Sequence, residues 1–221
     1  MQLRNNNDFD SLIVHNKLGL SGEALELKMR ELTRVRILEL RSHTHFWNFD
    51  NFDYAQYKHI HLYVFQDIFE WAGQDRYELG FSGKFSKYII QFCSGDEISS
   101  YADSIFSTLE FKNLNTKNSG QIHIEDMQSQ GDCIYQKMVA KKIASLWARL
   151  NFLHPFREGN GRVSRIFLEM FAKTLHIKFD IENIERRKQV IALNRAIRGN
   201  LRSLEELVLM NQDLDSMHAI Y

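Results

Sequence analysis

From Ser21 onward the chain places Leu25, Met29, Leu32, Val35 and Leu38 at spacings of four and three, with charged residues between them. Residues three and four apart share one face of an α-helix, so this pattern predicts a helix with a single apolar stripe. A second pattern runs from about Tyr54 through Ile60, Val64 and Ile68 and stops near Ala72 and Gly73. A third helix is expected from Ile98 to Phe111. The strongest periodicity comes later. Tyr135, Val139, Ile143, Leu146, Trp147 and Leu150 line one face, with Lys137 and Lys141 off it; Val163, Ile166, Phe167, Met170 and Phe171 then form the stripe of another helix. Between Arg76 and Cys93 the pattern changes. Aromatic and β-branched residues stand around Ser82 and Gly83, and a short β-hairpin is predicted there, the one strand segment of the chain. Lys112 to Asp132 is rich in Asn, Ser, Gly and Gln and reads as a long surface connection. Eleven glycines and one proline leave few helix breakers, so the expected fold is all-α in one domain.

Composition narrows the function less than the pattern narrows the fold. Lys+Arg and Asp+Glu both number 28, so there is no general pull toward nucleic acid or an anionic membrane, and neither is expected as a partner. Any polyanion site must be built locally. Cys93 and Cys133 make no disulfide framework and lack metal-ligand spacing; both are expected to be buried thiols. Residues 1–8 contain no apolar core of a signal peptide, and no apolar run approaches the ~18 residues of a membrane span. A reducing cytoplasm fits these features.

The candidate chemistry lies between the two most periodic helices, in His154-Pro155-Phe156-Arg157-Glu158-Gly159-Asn160-Gly161-Arg162-Val163-Ser164-Arg165. Gly159, Asn160 and Gly161 at a helix start leave backbone N–H groups uncovered, where the helix dipole favours a phosphate. Arg162 and Arg165, one turn apart, bring forked donors suited to phosphate oxygens. Glu158 is a hard oxygen ligand for Mg2+, which often takes only one or two protein carboxylates beside phosphate. His154 titrates near neutrality and can take a proton from a hydroxyl, and Pro155 is expected to hold it extended. Phe156 is expected to anchor the loop in the core. Each residue alone has an ordinary packing explanation; no comparable cluster occurs elsewhere. His43/His45 and His59/His61 are spaced i,i+2 and do not share a helix face, which argues against metal pairs. The phosphate loop Gly-x-x-x-x-Gly-Lys-Ser/Thr is absent.

These residues resemble the Fic-domain signature HxFx(D/E)GNGRxxR at every specified position. Ala148 to Leu153 before it, Phe65 to Arg76 in the hairpin approach, and Asn16 to Leu20 with Glu31 to Thr33 are similar to bacterial cell-filamentation-type Fic proteins. The resemblance covers about residues 10–210, with flexible residues expected before it. It implies a Fic-type helical bundle with a β-hairpin flap, forming a single Fic domain over residues 1–221. It implies AMP transfer from ATP to a Tyr, Ser or Thr hydroxyl of a target protein. His154 would be the general base, Glu158 would hold Mg2+, Gly159, Asn160 and Gly161 would form the anion hole, and Arg162 and Arg165 would bind the outer phosphates. The flap, with its tip expected at Ser82, Gly83 and Lys84, would receive the target by strand addition.

Gly161 favours nucleotidyl transfer, because phosphorylating relatives such as the Doc toxins carry lysine there. Many Fic enzymes are held off by a helix with (S/T)xxxE(G/N), whose Glu pairs with the arginine equivalent to Arg162. Here Glu precedes Gly or Asn only at Glu158-Gly159 and Glu182-Asn183, and His154 and Lys178 stand four residues earlier. The resemblance thus implies a toxin-like enzyme inhibited in trans by a small antitoxin-like protein. The competing readings are a catalytically silent nucleotide- or protein-binding Fic module, and a transferase using another nucleotide donor.

Overall fold

Helices make up most of what the computed structural model describes, namely residues 12–13, 15–42, 52–87, 90–109 and 131–214. In chain order they are α1 (Gly22–Ser42), α2 (Tyr54–Phe65), α3 (Ile98–Phe106), α4 (Gly131–Leu153), α5 (Asn160–Thr174), α6 (Arg186–Ile197) and α7 (Arg202–Met210). Short strands form two antiparallel pairs: β1 (Ser86–Lys87) with β2 (Ile90–Gln91), and β3 (Ile177–Phe179) with β4 (Gln212–Leu214). The helical expectation holds. Two compact units divide the chain, Met1–Thr108 with Leu153–Ile166, and Leu109–Phe152 with Phe167–Tyr221. No helix among the described residues is long and apolar enough to cross a membrane.

In the first unit, α1 buries Leu25 and Met29 as expected, but Val35 and Leu38 are 51% and 55% exposed. The buried seam instead follows the i,i+4 row through Thr33 and reaches Leu40. Thr33 tolerates burial because its hydroxyl donates to the Met29 carbonyl at 2.7 Å. α2 starts at Asp53, whose carboxylate accepts from the Gln56 N–H at 2.7 Å. It ends at Phe65, short of the predicted Ala72–Gly73. Tertiary partners take over there: the carbonyls of Gln66 and Ile68 accept from the Nζ and backbone N–H of Lys17 at 2.9 and 2.8 Å. Ile68 and Phe69 stay buried on turns, so the apolar pattern reported burial correctly and helix length wrongly.

The hairpin lies where the sequence placed it, with a different tip. Ser86 pairs with Gln91 and Lys87 with Ile90, so the chain reverses between Lys87 and Ile90. Ser82, Gly83 and Lys84 are exposed at its base. There the carbonyls of Gly83 and Ser82 accept from Gly95 and Asp96 N–H at 3.0 and 3.1 Å. Gly95 permits this closeness, since a Cβ on it would lie 2.0 Å from the Phe81 carbonyl oxygen. α3 gives way after Phe106 to a 3-10 turn at Ser107–Leu109. Residues 110–130, most of the predicted connection, and His43/His45 lie outside the described residues.

In the second unit the predicted stripe of α4 is buried at Val139, Ile143, Leu146, Trp147 and Leu150. The apolar stripe of α5, which begins in the first unit and continues into the second, is buried throughout as well. Tyr135 is half-buried and donates to the Leu175 carbonyl at 2.8 Å. Pairing of β3 with β4 was not foreseen. Ile177 and Phe179 face inward from β3, and Trp147 meets Phe179 edge-on at 6.2 Å. α6 and α7 pack on each other, and buried Gln189 donates to the carbonyls of Ile181 and Ile184. Cys93 is buried as expected but Cys133 is exposed, since it precedes the buried part of the α4 stripe.

Candidate active site

The loop between α4 and α5 is shaped by residues with no need to touch a ligand. Phe156 is fully buried, and its ring stacks on His61 at 3.9 Å and on Tyr57 at 5.7 Å. Asn160 closes the loop over it: its Oδ1 accepts from the Phe156 N–H at 2.9 Å and its Nδ2 donates to the Phe156 carbonyl at 2.7 Å. The side chain of Asn160 is therefore engaged in the loop, and what it can offer an anion is its backbone N–H. Gly159 caps α5, its carbonyl accepting from Arg162 and Val163 N–H at 2.9 and 3.1 Å. Its φ is +87°, and a Cβ would fall 2.4 Å from the Phe65 ring, so only glycine fits. One turn on, buried Ser164 shares a 2.8 Å hydrogen bond with the Tyr57 hydroxyl.

His154 is not extended. Its φ is +39°, in the left-handed region that a non-glycine residue enters only when its surroundings impose it. The following proline disfavours the right-handed helical alternative, and Arg76 imposes the rest. The Nε of Arg76 donates to the His154 carbonyl at 3.0 Å, and its backbone N–H donates to the Pro155 carbonyl at 2.8 Å. The half-buried His154 ring stacks on Phe92 of the hairpin at 3.9 Å, with Phe85 at 5.8 Å. Arg76 is fully buried, donates from Nη2 to the Cys93 carbonyl at 2.7 Å, and lies 4.8 Å over the Phe85 ring. Burial lowers its pKa to about 10, so it remains a cation at neutral pH.

Glu158 and the arginines form the charged side of the loop. The Glu158 carboxylate stands 3.8 Å from Nη1 of Arg162, and both side chains are part-exposed. The Arg162 guanidinium lies 5.6 Å over the Phe65 ring. Gly161 is exposed, and a Cβ on it would meet only Nη1 of Arg165, at 3.6 Å. The first turn of α5 thus presents N–H groups and two guanidinium groups beside an uncovered backbone, as a polyphosphate requires. Among the described residues no group of three or more His, Cys, Asp or Glu could hold a metal ion. Glu158 alone is the donor set of a cation bound chiefly through phosphate oxygens, which fits Mg2+.

Behind Glu158 stands His61. Its Nδ1 accepts from the Gly73 N–H at 2.8 Å, which places the ring proton on Nε2, and that nitrogen donates to the Glu158 carbonyl at 3.1 Å. Burial lowers its pKa to about 3, so the ring is neutral. The structural role of His61 was missed by the sequence pattern. So were those of Tyr57, Arg76, Phe85 and Phe92. Ser82 and Gly83 bond to the hairpin's return side rather than to the loop, and Lys84 is exposed beside them.

Known proteins match both chain and fold. The Fic/DOC family model matches residues 51–172. The "Probable protein adenylyltransferase y4lH" of Sinorhizobium fredii is 30% identical over 152 residues, 69% of each chain. "Protein adenylyltransferase VbhT" of Bartonella schoenbuchensis is 27% identical over 207 residues, 92% of this chain, which spans only 38% of that protein. A crystal structure of BepC, a VirB-translocated effector of Bartonella tribocorum with bound AMPPNP, matches with a TM-score of 0.71 at 23% identity. It covers 90% of this chain and 91% of that one, and at this identity the likeness concerns the fold.

Proposed function

The chain belongs to the Fic/DOC family, and from that premise we propose that it is a protein adenylyltransferase, moving AMP from ATP to a Tyr, Ser or Thr hydroxyl of a target protein. One observation carries the reading. A single rigid loop sets the His154 ring against the hairpin aromatics at one end and the Glu158–Arg162 pair, with Arg165, at the other. A base beside the hairpin and a cationic first helical turn are what transfer between a protein and a polyphosphate needs.

In this reading the phosphates lie on the backbone N–H groups of Asn160 and Gly161, with Arg162 and Arg165 on the outer oxygens. Glu158 would hold Mg2+, which when bound neutralises phosphate charge. The acceptor hydroxyl gives its proton to His154, and its oxygen bonds to the α-phosphorus. The bond from that phosphorus to the bridging oxygen breaks, and pyrophosphate leaves. Gly161 leaves the first turn uncovered, in keeping with transfer of a nucleotidyl group rather than a phosphoryl group.

Incubation with Mg2+ and either α- or γ-labelled ATP in cell lysate, alongside His154→Ala, tests this. Protein label from α-labelled ATP alone, lost in the variant, is the expected result. Label from γ-labelled ATP would make the protein a kinase; nucleotide binding without label would make it a silent module. Control is proposed to come in trans, from an antitoxin-like protein that brings a glutamate to Arg162. Purified protein that is inactive alone, and activated by trimming its own terminus, would count against that control.

A further inference from the structure

Arg76 is a poor choice if stability alone were selected. It is a fully buried cation, and its Nη1 has no hydrogen-bond partner among the described residues. Replacing a buried ion by an apolar residue of similar volume is often neutral or stabilising. What the guanidinium does instead is join two distant segments. Nε holds the carbonyl of His154, Nη2 holds the carbonyl of Cys93 at the end of the hairpin, and the plane covers Phe85 on the hairpin's outgoing side. The backbone N–H of the same residue holds the Pro155 carbonyl. His154 meanwhile has a left-handed φ of +39° and rests its ring on Phe92, next to Cys93.

We infer that Arg76 is a positioning residue of the transfer reaction, fixing the strained backbone of His154 and locking the hairpin to it in one register. This rests on the adenylyltransferase reading. A planar fork can hold two carbonyls at fixed separation, whereas an ammonium group holds one point. The hairpin and the base are thereby one rigid assembly: a target seated on the hairpin is aligned with the ring that takes its proton. Nucleotide contacts lie farther along the loop, from Glu158 to Arg165, and are not joined to Arg76 by any of these bonds.

Arg76→Lys in the full chain separates this role from general stability. Binding of Mg2+-AMPPNP by calorimetry is expected to stay within about 2-fold of wild type, and thermal unfolding to remain cooperative. The rate of label transfer from α-labelled ATP at saturating ATP is expected to fall about 10- to 100-fold, the effect of misplacing a reacting group by about an ångström. Phe92→Leu removes the ring under His154 and leaves Arg76 in place. It is expected to lose transfer and keep AMPPNP binding, and it carries the test if Arg76→Lys does not fold. The double variant should transfer no more slowly than the worse single variant, because both changes act through His154. Wild-type transfer by either single variant overturns the inference. So does loss of AMPPNP binding in step with loss of transfer, or losses that multiply in the double variant. Absence of label with the wild-type chain would remove the adenylyltransferase reading itself.

Discussion

Both ring nitrogens of His61 are committed, one to the Gly73 N–H and one to the Glu158 carbonyl, while its faces stack on Phe156 and Phe65. Its pKa of about 3 gives the chain an acid sensitivity with a definite sign. Above the ordinary histidine value of about 6.5 both folded and unfolded chains carry a neutral ring, and stability is unaffected. As pH falls below that value the unfolded chain takes a proton that the folded chain refuses. Stability then drops by about 1.4 kcal/mol per pH unit. Urea midpoints at pH 7.5 and pH 5.0 should show a loss of about 2 kcal/mol from this residue, and His61→Phe should have a flatter profile. Equal slopes would remove His61 as the source. The motif's glycines separate in the same way. Gly159→Ala forces a left-handed φ on alanine and drives its methyl into the Phe65 ring, and should cost about 3 kcal/mol. Gly161→Ala meets only Nη1 of Arg165 at 3.6 Å and should stay within about 0.5 kcal/mol of wild type. Comparable melting temperatures for the two would contradict this geometry. The motif residues were legible because they are contiguous. Arg76 and His61 were not, since their bonds to the loop span 78 and 97 positions, and no local pattern carries that information.

Elements were legible to the degree that burial followed one period. α4 and α5 bury the faces their sequences predict, because apolar residues occupy those faces almost without exception. α1 departs because its seam passes through Thr33, a polar residue made buriable by a local hydrogen bond. α2 stops early because backbone carbonyls beyond it bond to Lys17. The β3–β4 pair was invisible: each strand has three residues, and α6 and α7 intervene. The hairpin tip was misplaced because Ser82 and Gly83 have turn chemistry, yet their carbonyls serve the hairpin base. That base gives a prediction at this scale. Gly95→Ala would press its methyl on backbone atoms of Phe81 and Ser82, which cannot rotate away as a side chain can. Opening of the base should shift Phe92 from under His154 and lower label transfer by about 10-fold or more, with AMPPNP binding retained. Normal transfer by Gly95→Ala would show that the base is not held this tightly.

At the scale of the whole molecule, two of the crossings between the two units fall within α-helices. The boundary after Phe152 falls at the last residue of α4, and the boundary after Ile166 falls in the middle of α5. We propose that the chain behaves as one Fic domain, because a helix broken at its middle gives up the propagation that stabilises both halves. Val163, Ile166, Phe167 and Leu168 are buried on both sides of the α5 boundary, so partial melting there would also expose apolar surface. Tryptophan provides the test. Trp71 is buried in the first unit and Trp147 in the second, with 5% and 2% exposure. With Trp47 replaced by Phe throughout, Trp147→Phe leaves a probe of the first unit and Trp71→Phe a probe of the second. Each variant's fluorescence is compared with its own far-UV circular dichroism. In both variants the two signals should share one urea midpoint, as a two-state domain requires. A fluorescence transition that leaves helical signal behind in either variant would mean that the units unfold separately despite the helices they share.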